Sequence, residues 1–238
     1  MKKLYVLFAA CSSLLAQAQN FDWAKREGLW AYDYGYGITT DNSGNVYVAG
    51  KYEEVNANFS GTLIPCAGNH DSYLAKYTPS GALSWIRTSG GITGDYATGV
   101  VTDGSNYVYI AGEIEGQNET IYFPGSSITL VCEGLNDIFL AKYDLSGTLQ
   151  WARRAGGIDY EKALAITYDP AGNVYICGFY RGQATFGGTT VVNNAGNNDI
   201  FVAKYDASGT FLWVQNAGGS GRDEPKSMVC DAAGNVYI

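Results

Sequence analysis

The sequence predicts an all-β fold assembled from tandem four-stranded antiparallel units, and three observations predict it. One fifteen-residue segment recurs as DSYLAKYTPSGALSW (Asp71 to Trp85), DIFLAKYDLSGTLQW (Asp137 to Trp151) and DIFVAKYDASGTFLW (Asp199 to Trp213). A second segment precedes each copy: ITTDNSGNVYVAG (Ile38 to Gly50), VTDGSNYVYIAG (Val101 to Gly112), ITYDPAGNVYICG (Ile166 to Gly178) and again VCDAAGNVYI (Val229 to Ile238). Glycine (31) and tyrosine (19) are abundant among 238 residues while charged residues make up only 16%, a balance that suits short strands joined by tight turns. Self-similarity at a long period means that each copy is one supersecondary unit, which buries its apolar faces only by stacking on neighbours. Within a unit the Asp-x-x-Gly-Asn turn joins strands one and two, and the Ser-Gly turn joins strands three and four. Four-stranded units in tandem are the blades of a β-propeller.

Taken in order, residues 1–18 read as a secretory signal peptide. Lys2 and Lys3 precede an apolar run, and Ala16 and Ala18 fit the small-residue cleavage rule, which would make Gln19 the mature N-terminus. Cys11 keeps a lipoprotein leader open as an alternative. The β-propeller repeat domain then occupies 19–238. The tryptophan column Trp23, Trp85, Trp151, Trp213 sets its register, with gaps of 62, 66 and 62 residues. Trp23 has no first three strands before it, so 21–28 reads as an orphan fourth strand that closes a ring. Blade one follows at 29–91, blade two at 92–157, blade three at 158–219 and a partial blade four at 220–238. That last blade would have strands one, two and four but no third. An unpaired apolar edge is an aggregation template, so the expectation is an incomplete ring: the N-terminal part of a longer polypeptide, or a ring closed by another chain. In blade two Ser105-Asn106-Tyr107 replaces Gly-Asn, and Asn106 is expected to adopt the glycine's conformation.

GNVYVAG, the D-x-F-[LV]-AKYD-x-SG-x-L-x-W run and the trailing Gly90-Gly91, Gly156-Gly157 and Gly218-Gly219 pairs together resemble the SBBP repeat, a bacterial β-propeller repeat family of exported and surface proteins. The resemblance covers residues 21–238, with Thr78-Pro79 and Asn106-Tyr107 as departures. It implies a secreted or outer-surface protein, with a periplasmic location also open. Many members end in a type IX secretion sorting domain, which nothing in this chain resembles.

The formal charge of −8, or −10 once Lys2 and Lys3 are removed, argues against nucleic acid, since binding a polyanion rests on clustered Lys and Arg. No segment beyond the leader approaches the about 18 apolar residues of a membrane helix. Cys66 and Cys132 occupy equivalent places, five residues before the repeated aspartate, and equivalent atoms in stacked units are usually too far apart to bridge. Cys177 replaces Ala49 and Ala111 and reads as a buried thiol.

The recurring Trp23, Trp85, Trp151, Trp213, Asp71, Asp137, Asp199, Gly50, Gly112 and Gly178 read as scaffold, because a residue present in every blade cannot mark a unique site. Asp41, Asp103, Asp169 and Asp231 open turns without calcium-loop spacing, so no metal or cofactor is expected. Lys76, Lys142 and Lys204 read as snorkelling, or as paired with a neighbouring blade's carboxylate. His70, alone of its kind, reads first as a solvated loop residue, and no Ser or Cys motif accompanies it.

Function is expected on the long connections after strand two, which run twenty, twenty-four and twenty residues and each carry a Phe-Gly piece. Binding residues concentrate on variable loops held by rigid scaffolds. The candidates for ligand contact are Tyr32, Asp33, Tyr34, Tyr36 and His70, with core packing as the competing reading of the tyrosines. The expectation is a non-catalytic platform for protein or glycan on the long-loop face. The alternative is a propeller enzyme acting on an extracellular polymer, with its catalytic residues outside this stretch.

Overall fold

The computed structural model describes residues 23–25, 27, 32–53, 57–188, 190–193 and 197–238. The leader and half of the 21–28 segment lie outside the described residues, as does Cys11.

Blade one is the sheet β1 (Tyr34–Thr40), β2 (Val46–Tyr52), β5 (Asp71–Tyr77) and β6 (Leu83–Ser89), hydrogen-bonded in that order. Its connection from β2 to β5 contains a small hairpin, β3 (Ala57–Phe59) and β4 (Thr62–Ile64). Blade two repeats the order with β7 (Asp95–Thr102), β8 (Tyr107–Glu115), β11 (Asn136–Asp144) and β12 (Leu149–Gly157), and its hairpin is β9 (Thr120–Tyr122) and β10 (Thr129–Val131). Blade three comprises β13 (Glu161–Tyr168), β14 (Val174–Tyr180), β17 (Asp199–Tyr205) and β18 (Phe211–Ala217), with the hairpin β15 (Gln183–Phe186) and β16 (Thr190–Asn193). A two-stranded ribbon, β19 (Val229–Cys230) and β20 (Val236–Tyr237), opens the next unit. All pairings between strands are antiparallel, the described residues contain no helix, and the sheets do not close into a ring. No helix among the described residues is long and apolar enough to cross a membrane.

The small hairpins are two strands per repeat more than the sequence pattern predicts. Their phenylalanines, Phe59, Phe123 and Phe186, are buried. The β15–β16 hairpin continues the sheet of blade two, pairing Thr185 and Ala184 with Gly156 and Gly157 of β12. Tyr122 of β9 bridges Gly90 at the end of β6 in the same way. Much of the second and third long connections is therefore spent clasping the preceding blade.

The core lies between blades. One cluster joins Tyr47, Ala49 and Leu74 of blade one to Ile110, Ile114 and Phe139 of blade two, and another joins Tyr109, Ile138 and Leu140 of blade two to Ile176, Phe201 and Tyr205 of blade three. At the short-turn end the tryptophans of the fourth strands of blades one and two cross the seam. Trp85 Nε1 donates to the Leu145 carbonyl at 3.1 Å and Trp151 Nε1 to the Ala207 carbonyl at 3.2 Å. Trp23 Nε1 donates to the equivalent carbonyl of Pro79 at 3.0 Å, and its ring lies against Tyr77. Trp23 thus occupies on blade one the seat that Trp85 and Trp151 occupy on the following blades. Arg87 and Arg153, two residues beyond their tryptophans, donate to the Gly147 and Gly209 carbonyls at 2.7 and 2.8 Å.

The repeated lysines do not pair with a neighbouring blade's carboxylate. Lys76 and Lys142 reach across the seam to carbonyl oxygens, Leu145 at 3.0 Å and Ala207 at 2.8 Å, not to carboxylates. The carboxylates near Lys76 and Lys204 belong to their own blades, Asp41 at 3.9 Å and Asp169 at 3.4 Å. A backbone acceptor frees the neighbouring turn to vary, as Pro79, Leu145 and Ala207 do.

Asp41 spends both oxygens on its turn, accepting from the amides of Ser43 and Asn45, from Asn45 Nδ2 and from the Tyr47 hydroxyl at 2.8 to 3.0 Å. Asp169 and Asp231 accept in the same way from Asn173 and Tyr175, and from Asn235 and Tyr237. In blade two the positive φ falls on Gly104 (+80°) and not on Asn106, because Gly104 stands where the other turns carry Asn42 or Pro170. Gly50, Gly112 and Gly178 face bulges in β1, β7 and β13, where a Cβ would overlap the carbonyl oxygens of Tyr34, Tyr96 and Lys162. Cys66, Cys132, Cys177 and Cys230 are free thiols, and Cys177 is fully buried.

Gly209 and Gly172 separate backbone strain from seam packing. Both have positive φ (+77° and +85°), but a Cβ on Gly209 would stand 2.8 Å from the Trp151 ring while one on Gly172 would meet nothing closer than 3.7 Å. Both alanine variants pay about 1 kcal/mol for the left-handed backbone. We expect Gly209→Ala to lose about 1–3 kcal/mol more by overpacking the seam, measured as a lower urea midpoint at unchanged slope.

Candidate functional site

The first strands β1, β7 and β13 pack side by side along the inner edge, and their starts lie at the long-loop end. The registers Tyr34↔Lys51, Tyr96↔Glu113 and Lys162↔Phe179 make Tyr34, Tyr96 and Lys162 equivalent, and likewise Lys51, Glu113 and Phe179. Scaffold positions repeat from blade to blade; these two columns do not.

The columns interlock across the seams. Lys51 Nζ lies 5.0 Å from the Tyr34 ring and 4.9 Å from the Tyr96 ring of the next blade, and bonds Glu53 Oε1 at 2.6 Å. Glu113 Oε1 meets Lys162 Nζ of blade three at 2.5 Å, and its other oxygen accepts from Asn136 Nδ2 at 3.2 Å. Burial pushes the Glu113 carboxyl up, and Lys162 opposes it. Cation over aromatic and ion pair over seam therefore alternate along one line.

His70 joins this line and is not a solvated loop residue. Its Nε2 shares a hydrogen bond with the Tyr96 hydroxyl at 2.5 Å, its Nδ1 lies 3.6 Å from Glu53 Oε1, and its ring packs on Tyr96. Tyr32, Tyr34 and Tyr36 are not core residues. They are 71, 42 and 47% exposed, with rings stacked at 6.5 Å and 25°, then at 5.7 Å and 3°. Their exposure follows from their place at the start of an inner strand whose bulge, at Tyr36, turns an extra side chain outward. Asp33 does not join the rings. It lines a separate pocket of about 270 Å³ with Trp23, Glu27, Tyr73 and Tyr77, and its charge acts on Tyr73. Burial, then Tyr34 and the carboxylates Glu113 and Glu53, raise the Tyr36 phenol.

The sequence reading missed Lys51, Glu53, Tyr96, Glu113 and Lys162. The signal available was their divergence within otherwise repeated strands. Larger clefts lie elsewhere. One of about 600 Å³ runs along the outer edge between Arg87 and Phe123, and one of about 610 Å³ lies over the turns of Asp103, Asp169 and Asp231. The turn aspartates of the second cleft are already committed to backbone amides. No group of three acidic, His or Cys side chains suited to a metal ion occurs among the described residues.

Replacing Lys162 by alanine leaves Glu113 buried with Asn136 alone. We expect a loss of about 1–3 kcal/mol, moderated by the partial exposure of the lysine, and partial recovery when Glu113→Gln is added. A double-mutant cycle from denaturant melts measures it.

Residues 23–51 match the family model of the SBBP β-propeller repeat. Among curated proteins, the chain is 28% identical over 249 residues to an uncharacterized WD repeat-containing protein of Acanthamoeba polyphaga mimivirus, covering 84% of this chain and 18% of that protein. It is 28% identical over 179 residues to the regulatory protein FlaEY of Caulobacter vibrioides, covering 73% of this chain and 17% of that one. The chain thus matches under a fifth of the length of either relative. The matched window runs from the Trp23 seat to the end of the first hairpin, and three successive four-stranded units follow that seat, so this is an all-β chain of β-propeller blades in which residues 23–51 match the SBBP repeat.

Proposed function

We propose that this chain is an exported, non-catalytic propeller scaffold whose long-loop face binds protein or glycan. The observation that carries the reading is the exposed ladder of Tyr32, Tyr34 and Tyr36, bordered by Lys51 and Glu53. Stacked aromatic faces beside fixed charges suit sugar rings and extended peptides, and an exposed aromatic patch on a rigid sheet is a contact surface by default. The WD repeat named in the mimiviral relative is consistent with a scaffold role. Export rests on the sequence of residues 1–18.

Against catalysis stands the chemistry of the one histidine. The chain Glu53–His70–Tyr96 resembles a relay, but burial and the nearby Glu115 push the Tyr96 phenol well above its usual range, so it stays protonated and is a poor nucleophile.

The full chain, screened on arrays of oligosaccharides and extended peptides, is expected to retain one class and to lose at least about tenfold affinity for it in Tyr34→Ala/Tyr36→Ala, the scale of one or two lost aromatic contacts. Because both rings are largely on the surface, the melting curve should move little while the affinity falls. Undiminished binding by that variant, or turnover of a polymer by the wild type, contradicts the reading.

A further inference from the structure

Two blade junctions, one-to-two and two-to-three, each hold two buried carboxyl groups at the long-loop end. The aspartate that opens the third strand of one blade faces the acidic residue that opens the first strand of the next: Asp71 with Asp95, and Asp137 with Glu161. Parallel bridges between the residues just before them, His70 with Gly94 and Asn136 with Tyr160, place the members of each pair side by side. All four are at least nine-tenths buried. The glycine pairs make the room. A Cβ on Gly90 would overlap the Asp71 carboxyl, and one on Gly156 would overlap Asp137 while standing 3.0 Å from Glu161 Oε2.

One oxygen of each group is spent. Asp71 Oδ2 accepts from the Ala67 amide and the Tyr52 hydroxyl, and Asp95 Oδ2 from the Gly91 amide. Asp137 Oδ2 accepts from the Glu133 amide and Arg154, and Glu161 Oε2 from the Gly157 amide. The remaining oxygens, Asp71 Oδ1, Asp95 Oδ1, Asp137 Oδ1 and Glu161 Oε1, are buried without a donor. Four orphan acceptors in two matched pairs call for two donors, because an unsatisfied buried carboxylate is costly. Two oxygens per site are too few ligands for calcium, which takes six to eight, and Arg154 already supplies a positive charge at the second junction.

We propose that each junction is sealed by one proton shared between the paired carboxyls, Asp71–Asp95 and Asp137–Glu161, so that the blades are locked together in neutral to mildly acidic surroundings and loosen in alkali. A carboxylic acid O–H on one member donates to the orphan oxygen of the other, as like charges in one buried site require. Burial, with the partner carboxylate adding to it, raises both Asp95 and Glu161 to about 8, and burial raises Asp71 and Asp137 as well. The other groups facing the first pair are the Cys66 thiol, the Tyr52 hydroxyl, Glu115 and Glu119. Those facing the second are the Cys132 thiol, Arg154, Glu133, Asp159 and the backbone amide of Arg181, which lies near Glu161 and opposes the rise of its carboxyl.

Because the folded pKa values lie above the unfolded ones, the stabilisation is complete below about pH 4, declines as pH rises, and is gone above about pH 8. The turn aspartates Asp41, Asp144, Asp169, Asp206 and Asp231 are held below the usual carboxylate range, so they stay ionised in the native state from pH 5 to 9.

Calorimetry of the full chain from pH 5 to 9 is expected to show Tm falling with pH, with a slope between pH 5 and 7 of about two protons held by the native form over the unfolded one. In Asp95→Asn/Glu161→Gln an amide N–H replaces the acid O–H and cannot ionise. The slope should flatten by those two protons, and Tm at pH 9 should exceed that of the wild type. Infrared spectra of the wild type at pH 7 supply a readout that needs no variant to fold: a protonated carboxylic acid carbonyl band that persists well above the titration range of exposed carboxyls. An absent band, or a slope unchanged in the amide variant, overturns the proposal, as does a wild-type Tm raised by calcium and lowered by chelator.

Discussion

The indole of one blade lying on the third-to-fourth-strand turn of the next is the contact on which the rest of the structure depends. Trp85, half-buried on the Asp144–Gly147 turn, and Trp151, buried on the Asp206–Gly209 turn, each satisfy the indole N–H on a backbone carbonyl. At about 25 cal/mol/Å², burying the about 150–250 Å² of an indole contributes an upper estimate of about 4–6 kcal/mol per seam. The same carbonyls take the lysines of the third strand, and the neighbouring ones take Arg87 and Arg153. Every acceptor is main chain, so the turn keeps its Ser-Gly shape while its second residue drifts. Repetition of the fifteen-residue segment is thus the signature of an interface and not of a ligand site.

The long-loop end of the seam is held by different physics. There Gly91 and Gly157 leave space for the next blade's clasping hairpin, and Gly90, Gly156 and Gly218 leave space for a buried carboxyl. Between the two ends run the inner strands, whose starting residues have left the repeat. Lys51 over Tyr96 and Glu113 with Lys162 show that a position free of scaffold duty still serves as a joint, while Tyr34 and Tyr36 on the first inner strand remain open to solvent.

The sequence made four strands per blade legible because their text is long and repeats. It hid the clasping hairpins because strands of three or four residues are too short for alternation to register, and their partner is an earlier blade. Asn106 does not take the glycine's conformation because Gly104, two places earlier, takes the positive φ at no steric cost, and the one-residue match of Asn106 to Gly44 does not reveal this. Lys51, Glu113 and Phe179 share one column, but no common chemistry marks it. The acidic column Asp95, Glu161 and Asp223 follows each glycine pair at a fixed distance, and the second glycine's amide bonds each of them. That spacing is plain in the text; its meaning needed the carboxyl across the seam. The tyrosine ladder was found by its aromatic density, and its exposure depends on a bulge that residue types alone do not reveal.

The most direct test of the seam is residue-resolved hydrogen exchange on Trp151→Ala. If the indole on the turn couples the blades, the strands of blade three should lose protection together, including β13 and β14, which the tryptophan does not hydrogen-bond, while β1 and β2 stay close to wild type. Blade three keeping its full protection, with changes confined to β12 and the Asp206–Gly209 turn, would contradict the claim that this contact holds the stack together.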